Sequence, residues 1–424
     1  MRFLPTSGML VLLCTFVAFS QTAPTISRQA EKLSLQEAIT LALQNNPDIL
    51  RAQKEIDAAG GRILQAGRIP NPDLSVVFNE APTGLQLGRA GERDVTLSQT
   101  IEFPGKRALR MDAAESGRTV SEMSLVRTKV IVTARTKQAY YKALLAGEVV
   151  RSLEFTIGLF EDFQKVVTDR YQTQASSYLD VIRTRVELTR LRNDLSEAQR
   201  DETLRLAELN ILLGRPSEVT MALSDSLKYE PLLLSEDEAV SSYAAQSYSL
   251  RISEQRVRQS QSLQQLARRS YFPDLAMSAA LQRRPDQANP ATTTTYFGLG
   301  LGLSIPLWFW QGPRGEIQEA QAVAEATAIN LDATARQVRQ NIAAAFRTAH
   351  VAEQQLIVFD TSLLADVEDE LRSGIAAYQN NQIDALNVFD IYRTYRATKL
   401  EHSRALFNYT FALADLEAAK EILE

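Results

Sequence analysis

Two residue periods divide this chain. Across 73–79, Leu74, Val76 and Phe78 alternate with Ser75, Val77 and Asn79. Across 94–103, Val95, Leu97, Ile101 and Phe103 alternate with Asp94, Thr96, Ser98, Thr100 and Glu102, and Gln99 is the one polar break on the apolar side. Later, Leu275, Met277, Ala279 and Leu281 share one side. Phe297, Leu299, Leu301, Leu303, Ile305 and Leu307 then alternate with Gly298, Gly300, Gly302, Ser304 and Pro306. A period of two with one greasy side predicts four half-buried strands. A run of about ten such residues can cross a bilayer at the tilt of a barrel. Polar segments bearing proline and glycine, 80–93 and 283–295, would be the outward loops of two hairpins.

The rest of the chain has the spacing of helices. Residues 35–45 place Ala38, Ile39, Ala42 and Leu43 on one side, and Pro47 suits the first position of a second helix ending near Gly67. Residues 236–246 and 250–270 match this pair. From 106 to 173 there is no proline, which predicts one helix roughly 100 Å long at about 1.5 Å per residue. The segment 314–380 predicts another of nearly the same length. Short polar breaks at 172–177 and 379–382 precede return helices, the first of which Gly214 stops. These carry apolar residues at spacings of three and four, Leu188, Leu191, Leu195 and Ala198, then Leu406, Tyr409, Leu413 and Leu416. That spacing predicts coiled-coil packing of helix pairs.

The order of elements occurs twice. Glu37-Ala38 and Pro72-Asp73-Leu74 return 201 positions later as Glu238-Ala239 and Pro273-Asp274-Leu275. Gly105-Lys106-Arg107 returns as Gly312-Pro313-Arg314, and Tyr171, Leu179 and Val181 return as Tyr378, Leu386 and Val388, all at an offset of 207. Two constant offsets with one slip between them predict two copies of one unit. The expected organisation is a signal peptide at 1–20, a first repeat at 21–214, a linker or equatorial segment at 215–234 and a second repeat at 235–424.

Composition narrows the setting. Arg2, the apolar run 9–19 and Ala18-Phe19-Ser20 predict a secretory signal cleaved before Gln21. The one cysteine, Cys14, lies in that run, with lipidation as the alternative, so a mature chain would have no disulfide. No later segment offers eighteen consecutive apolar residues, so entry into a membrane would be by β-strands. The net charge of −5 comes from 46 basic and 51 acidic residues well mixed, which gives no basic patch for nucleic acid. Four strands cannot close a barrel, so several chains would have to contribute to one. Trp308 and Trp310, flanking Phe309 at a strand end, fit the aromatic girdle of such a barrel against outer-membrane lipid. A soluble sheet packed on helices, in an exported scaffold, is the competing reading.

Catalytic and cofactor chemistry has no foothold. His350 and His402 stand far apart, each without a histidine three or four positions away. There is no serine nucleophile elbow and no phosphate-cradling glycine loop. Glu161-Asp162 and Glu368-Asp369-Glu370 read as solvated helix faces among basic residues, and the second group is a candidate for contact with a partner near a tip. No enzyme activity, metal site or cofactor is expected.

The duplicated order of two helices, a strand hairpin and a pair of long helices resembles the TolC family of outer-membrane efflux proteins. The resemblance covers nearly the whole mature chain. Local matches are Leu35-x-Glu37-Ala38 before Asn46-Pro47, the run Pro70-Asn71-Pro72-Asp73-Leu74, and Gly214-Arg215. The stretch from Gln99 to Arg107 resembles the strand-to-helix junction of the family's CzcC-like heavy-metal branch. The resemblance implies a fold that is mainly α with a small β part. It implies a homotrimer whose twelve strands form an outer-membrane β-barrel continued by a helical tunnel in the periplasm of a Gram-negative cell. It implies a passive exit duct served by an inner-membrane RND-type pump and a periplasmic adaptor. The branch implies divalent metal cations as cargo, with drugs or other organic molecules as the alternative.

The family closes its tunnel where the long helices turn back. Carried over by position, Asp180, Asp390 and Tyr378 fall on gate positions, with Asp384 beside them. Gln174, Ser177 and Asn381 fall on the tips that would meet the adaptor. Ile383 and Asn387 stand where the founding member has an arginine and an aspartate, and Gln174 and Asn381 replace turn glycines. Aspartates near a three-fold axis would form a ring that attracts cations. The plainer role for acids at these positions is capping the return helices.

Overall fold

The computed structural model describes residues 31–80, 90–286, 289, 291–303, 313–359, 361–380 and 382–422. The first stretch gives β1 (Glu31–Leu33), α1 (Leu35–Asn45), α2 (Pro47–Ala66), β2 (Asp73–Asn79), β3 (Glu92–Ile101), α3 (Lys106–Gln172) and α4 (Tyr178–Leu212). The second gives β4 (Met221–Leu223), α5 (Glu236–Tyr243), α6 (Tyr248–Arg269), β5 (Leu275–Pro285), β6 (Thr293–Leu303), α7 (Pro313–Val358), α8 (Thr361–Gln379) and α9 (Ala385–Lys420).

Local chemistry sets the helix starts. Ser34 is extended and accepts from the Glu37 N–H, while the Glu37 carboxylate takes the Ser34 N–H at 2.8 Å. This reciprocal cap satisfies two donors that a helix start leaves open. Ser235 and Glu238 make the same cap on α5, 201 positions on. Asn46 caps α2 through the Asp48 N–H, with Pro47 at the first helical position where its missing donor costs nothing. Gly214 ends the first return helix at φ 69, a conformation in which a Cβ would lie 2.5 Å from the Asn45 carbonyl oxygen.

Strands β2, β3, β5 and β6 form one antiparallel sheet in the order β2-β3-β5-β6. The helices attached to them keep that order, since α2 packs on α3, α3 on α6 and α6 on α7. Farther from the sheet, α4 packs on α3, α3 on α9, and α9 on α7 and α8. At 67 residues α3 spans about 100 Å. Its uninterrupted course agrees with the sequence expectation.

Two features depart from that expectation. The second long rod is divided, because α7 ends at Val358 and α8 begins at Thr361. The Phe359 N–H turns to Leu356 O at 3.0 Å, a tightened last turn. β-Branched Ile357 and Val358, followed by Asp360, Thr361 and Ser362, are a sequence that favours ends over helix interiors. Second, 215–234 contributes a strand that the sequence did not predict. β4 pairs in parallel with β1, Leu33 facing Leu223. The buried Tyr140 hydroxyl ties this small sheet to α3, bonding Leu33 O at 2.8 Å and Asp225 Oδ2 at 2.9 Å.

Candidate functional site

The register of the large sheet sorts its side chains onto two faces. Row by row, Val95, Leu281 and Phe297 stand side by side, then Leu97, Ala279 and Leu299, then Gln99, Met277 and Leu301, then Ile101, Leu275 and Leu303. No described residue covers this face: Leu299 is 78% exposed and Leu301 75%. Gln99, the odd polar member, donates its amide to Pro70 O at 2.9 Å and to Thr100 O at 2.8 Å. The opposite face carries Thr96, Ala280 and Gly298, then Ser98, Ser278 and Gly300, then Thr100, Ala276 and Gly302. It is small and polar, with Arg284 over the Tyr296 ring at 4.5 Å near the loop end.

The sheet has two open edges, β2 and β6. An open edge offers unpaired backbone donors and acceptors to another chain. The helices at the flanks of the wall are also incomplete. Leu50 and Leu64 on α2, Ile182, Val186, Leu204 and Ile211 on α4, and Val323 and Ile329 on α7 are all exposed.

Between sheet and rods lies the junction that begins at Gln99. Gly105 adopts φ 91, and the backbone turns into α3 there. Lys106 Nζ holds Asp274 Oδ1 at 2.8 Å and Phe272 O at 2.9 Å, and the same carboxylate oxygen accepts from the Phe103 N–H at 2.7 Å. Arg110 grips Glu102 through two parallel bonds of 2.7 and 2.8 Å. Phe103 stacks on Phe272 with ring centres 4.5 Å apart. The bonds to Asp274 and Phe272 and the ring stack lock the first strand pair to the second.

At the other end the two helical hairpins turn. Ser177 caps α4 by accepting from the Asp180 N–H, and the Asp180 carboxylate returns to the Ser177 N–H at 3.3 Å and hydroxyl at 3.0 Å. At the matching position of α9 the residue types change: Asp384 is the cap and accepts from the Asn387 N–H at 2.9 Å, with no reciprocal carboxylate. Gln174 occupies the left-handed region at φ 60. Asp390 is exposed and pairs with Arg393 at 3.4 Å.

Tyr378 is not at the surface. It is 2% exposed, its ring lies 5.0 Å from that of Phe163, and its buried hydroxyl makes no hydrogen bond of normal geometry among the described residues. Burial pushes its phenol pKa up, and the nearby Arg170 charge opposes that rise. Tyr171, its counterpart in the first stretch, is 43% exposed and faces Tyr178. Arg170 bridges the two hairpins. It donates to the Tyr378 carbonyl and to Ala175 O, and its guanidinium lies 4.3 Å from the Tyr378 ring centre. Phe160, Phe163, Phe389 and Tyr392 pack as an aromatic plug just behind this bridge.

Sequence reading missed Arg170 and the plug. The available signal was a basic residue in the last turn of a helix, where it also suits the helix dipole. Trp308, Trp310 and Asn381 lie outside the described residues, as do the signal segment and Cys14. His402 is partly buried, which pushes its pKa down, and packs edge-on to Phe359. His350 stacks on Phe346. Among the described residues no group of three His, Asp or Glu could hold a metal ion, and no helix is long and apolar enough to cross a membrane.

Comparison with known proteins follows the same geometry. The sequence profile of the outer membrane efflux protein family matches residues 38–215. The cobalt-zinc-cadmium resistance protein CzcC of Cupriavidus metallidurans is 23% identical over 377 residues, 88% of this chain and 86% of that one. Toxin and drug export protein A of Aggregatibacter actinomycetemcomitans is 21% identical over 315 residues, covering 70% and 66% respectively. The crystal structure of the Campylobacter jejuni CmeC outer membrane channel shares the fold, with a TM-score of 0.75 at 16% identity over 91% of this chain and 85% of that one.

Proposed function

Because this chain belongs to the outer membrane efflux protein family and resides in the outer membrane with a large periplasmic portion, we propose that it is the passive exit duct of a tripartite efflux system. Three copies join edge to edge, β6 of one beside β2 of the next, and close a twelve-stranded barrel. The rods continue that barrel inward as a tunnel built from two repeats per chain. A periplasmic adaptor and an inner-membrane pump of the RND type supply the cargo at the far end.

The single observation that carries this reading is a four-stranded sheet with two open edges and one uncovered apolar face. In water that arrangement invites aggregation; in a bilayer, closed by copies of itself, every backbone group is paired. Strands of 11 residues in β5 and β6 match the length a tilted strand needs to cross the apolar layer. The exposed leucines, isoleucines and valines of α2, α4 and α7 gain neighbours in the same closure.

The tips are the narrow end of the duct. Asp180 and Asp390, repeated around a three-fold axis, present negative charge to the passage and favour cations. Asp384 and Ser177 hold the turns as caps, and Tyr378 is the anchor by which Arg170 ties one hairpin to the other. Gln174, Ser177 and Asn381 form the tip surface offered to the adaptor.

The cargo reading rests on the likeness to CzcC and on the junction from Gln99 to Arg107. It assigns the duct to divalent heavy-metal cations. Drugs or other organic molecules are the second cargo reading, favoured by the likeness to toxin and drug export protein A. Fractionation tests the duct: the protein should sediment with outer membranes, require detergent, elute as a trimer and conduct ions in a planar bilayer. A monomer soluble without detergent would refute it. A deletion strain separates the cargoes. Sensitivity to zinc, cobalt, nickel, cadmium, copper or silver supports metal export, and unchanged tolerance to all six removes it.

A further inference from the structure

The chain carries a template for its own contact with a second copy. Its two repeats meet where α6 packs on α3. The offset of 201 that relates Asp73 to Asp274 makes α2 the counterpart of α6, and the offset of 207 that relates Gly105 to Gly312 makes α7 the counterpart of α3. α2 leads into the open edge β2, and α7 follows the other open edge, β6. Both helices therefore lie where a second copy would add its strand.

Two close approaches fix the register of the internal pair. Arg269, at the end of α6, donates to Pro104 O at 2.6 Å, just before α3 begins. Farther along α3, a Cβ on Gly117 would lie 3.0 Å from Gln259 Nε2. The two helices run antiparallel, with Gln259 filling the space that Gly117 leaves. The counterpart of Gly117 is Ala324, and that of Gln259 is Ala58.

From this correspondence we infer that α7 of one copy seats on α2 of the next in the register that α3 keeps on α6, with Ala324 against Ala58. The inference rests on the trimeric duct proposed above and adds the contact along its rods. Charge fits that register. Residues 47–68 hold the basic side chains Arg51, Lys54, Arg62 and Arg68 against the acidic Asp48, Glu55 and Asp57, whereas residues 313–332 hold Arg314 against Glu316, Glu319, Glu325 and Asp332. With Ala58 facing Ala324, Arg51 comes level with Asp332, and Lys54 and Arg62 come within about one helical turn of Glu325 and Glu316. Arg51, Lys54 and Arg62 also pair within their own chain, with Asp48 at 3.1 Å, Asp57 at 2.9 Å and Glu55 at 3.5 Å. These are exposed pairs of small individual strength, so each cation can be shared with a second carboxylate.

One part of the template does not carry over. Lys106, which holds Asp274 at 2.8 Å, has Pro313 as its counterpart, while Asp274 has Asp73. The seams between copies are fastened along the rods, and the lysine bond at the waist is confined to the seam within each chain.

The test uses the full chain purified in detergent and oxidised in air with copper phenanthroline. Ala58→Cys combined with Ala324→Cys should join neighbouring copies, because cysteines link only where their Cβ atoms come within about 4.5 Å. The expected product is a covalent trimer that a reducing agent dissolves and that neither single variant gives. Ala58→Cys combined with Ala335→Cys moves the second thiol about 16 Å along α7 and should give none. An intact trimer in which the first pair stays reduced, or in which the second pair links as readily, overturns the inference. A second measurement needs no crosslink. Pro313→Lys supplies the lysine that the template lacks, facing Asp73 of the next copy. The temperature at which the trimer dissociates should rise by several degrees, and Asp73→Asn in the same chain should cancel the rise. A rise that survives Asp73→Asn, or no rise, counts against the register. A wild type that is monomeric and soluble without detergent refutes the duct, whereas an intact trimer lacking these contacts refutes only this seam.

Discussion

The guanidinium of Arg170 lies 4.3 Å from the centre of the Tyr378 ring and also donates to the Tyr378 carbonyl. One residue closes α3, the other stands near the end of α8, so this pair joins the two hairpin tips of the chain. A stacked cation contributes about 0.5–2 kcal/mol and a charged hydrogen bond about 1.5–3 kcal/mol. Arg170→Ala should therefore free the tips. Limited proteolysis near 170–180 should speed up, and single-channel recordings should show more frequent opening. Unchanged cutting and gating would remove the clasp.

Tyr378→Phe should behave in the opposite sense to intuition. The hydroxyl is buried and makes no hydrogen bond of normal geometry among the described residues, so deleting it removes a poorly satisfied group, worth up to about 1 kcal/mol, while leaving the ring under Arg170. Thermal denaturation of the detergent-solubilised protein should show equal or higher stability. A loss comparable to that of Tyr378→Ala would mean that the hydroxyl has a partner in the assembled protein.

Charge and capping can be separated at the tips. Asp180→Asn keeps a carbonyl oxygen for the Ser177 N–H but removes the charge, and Asp390→Asn removes the charge of a surface pair worth little to stability. The double variant should lower the cation-to-anion permeability ratio with little change in melting temperature. Asp384→Ala should do the reverse, costing about 1 kcal/mol as a lost cap with no change in selectivity. Reversal potentials in asymmetric salt distinguish the outcomes.

Glu421 gives the fold a defined acid limit. It closes α9 in a left-handed conformation, and its carboxylate accepts from the Ser247 hydroxyl, the Ser249 N–H and hydroxyl, and Arg127 Nε, all within 2.7 Å. Burial pushes its pKa up, but the bonds from Ser247, Ser249 and Arg127 outweigh burial and hold it below the ordinary value of 4.5. A carboxyl with a depressed folded pKa stabilises fully above its unfolded value, and that stability is lost as pH falls toward the folded one. Glu421→Gln should cost about 2 kcal/mol at neutral pH. The difference from the wild type should shrink only below about pH 4.5. A gap that stays constant down to pH 3 would contradict the assignment.

The two faces of the sheet should answer differently to neighbouring substitutions. A Cβ at Gly298 would meet only Ala280 Cβ, at 4.0 Å, so Gly298→Tyr fits and should narrow the passage, lowering single-channel conductance. Leu299→Arg, one residue on, faces the bilayer and should cost about 2–4 kcal/mol, seen as reduced trimer yield. Equal effects of the two would mean that the faces are assigned wrongly.

Much of this was written in local patterns. The strands announced themselves because one face must be greasy and the other not, and Phe297 to Leu303 carries that alternation without a fault. The start of α2 was legible in Pro47, whereas the reciprocal cap of Ser34 and Glu37 on α1 came only with the structure. Other features depend on neighbours far along the chain. Tyr171 and Tyr378 occupy the same place in the repeat, yet one is exposed and the other buried, because only the second has Phe163 and Arg170 beside it. The β1 and β4 strands are three residues each, too short to show a period, and exist through the contact of Tyr140 and Asp225 with Leu33 and Leu35. The division between α7 and α8 rests on a weak local signal, a few β-branched and hydroxyl residues within an otherwise helical run.

The shared order of strands and rods has a mechanical consequence. β2, β3 and β5 each adjoin one rod within a few residues, and neighbours above remain neighbours below, so the wall resembles the staves of a cask more than two parts bolted at a flange. Lys106 and Asp274 fasten adjacent staves at the waist. A twist imposed at one rim therefore has no seam at which to dissipate, and it arrives at the other rim as a change of pitch.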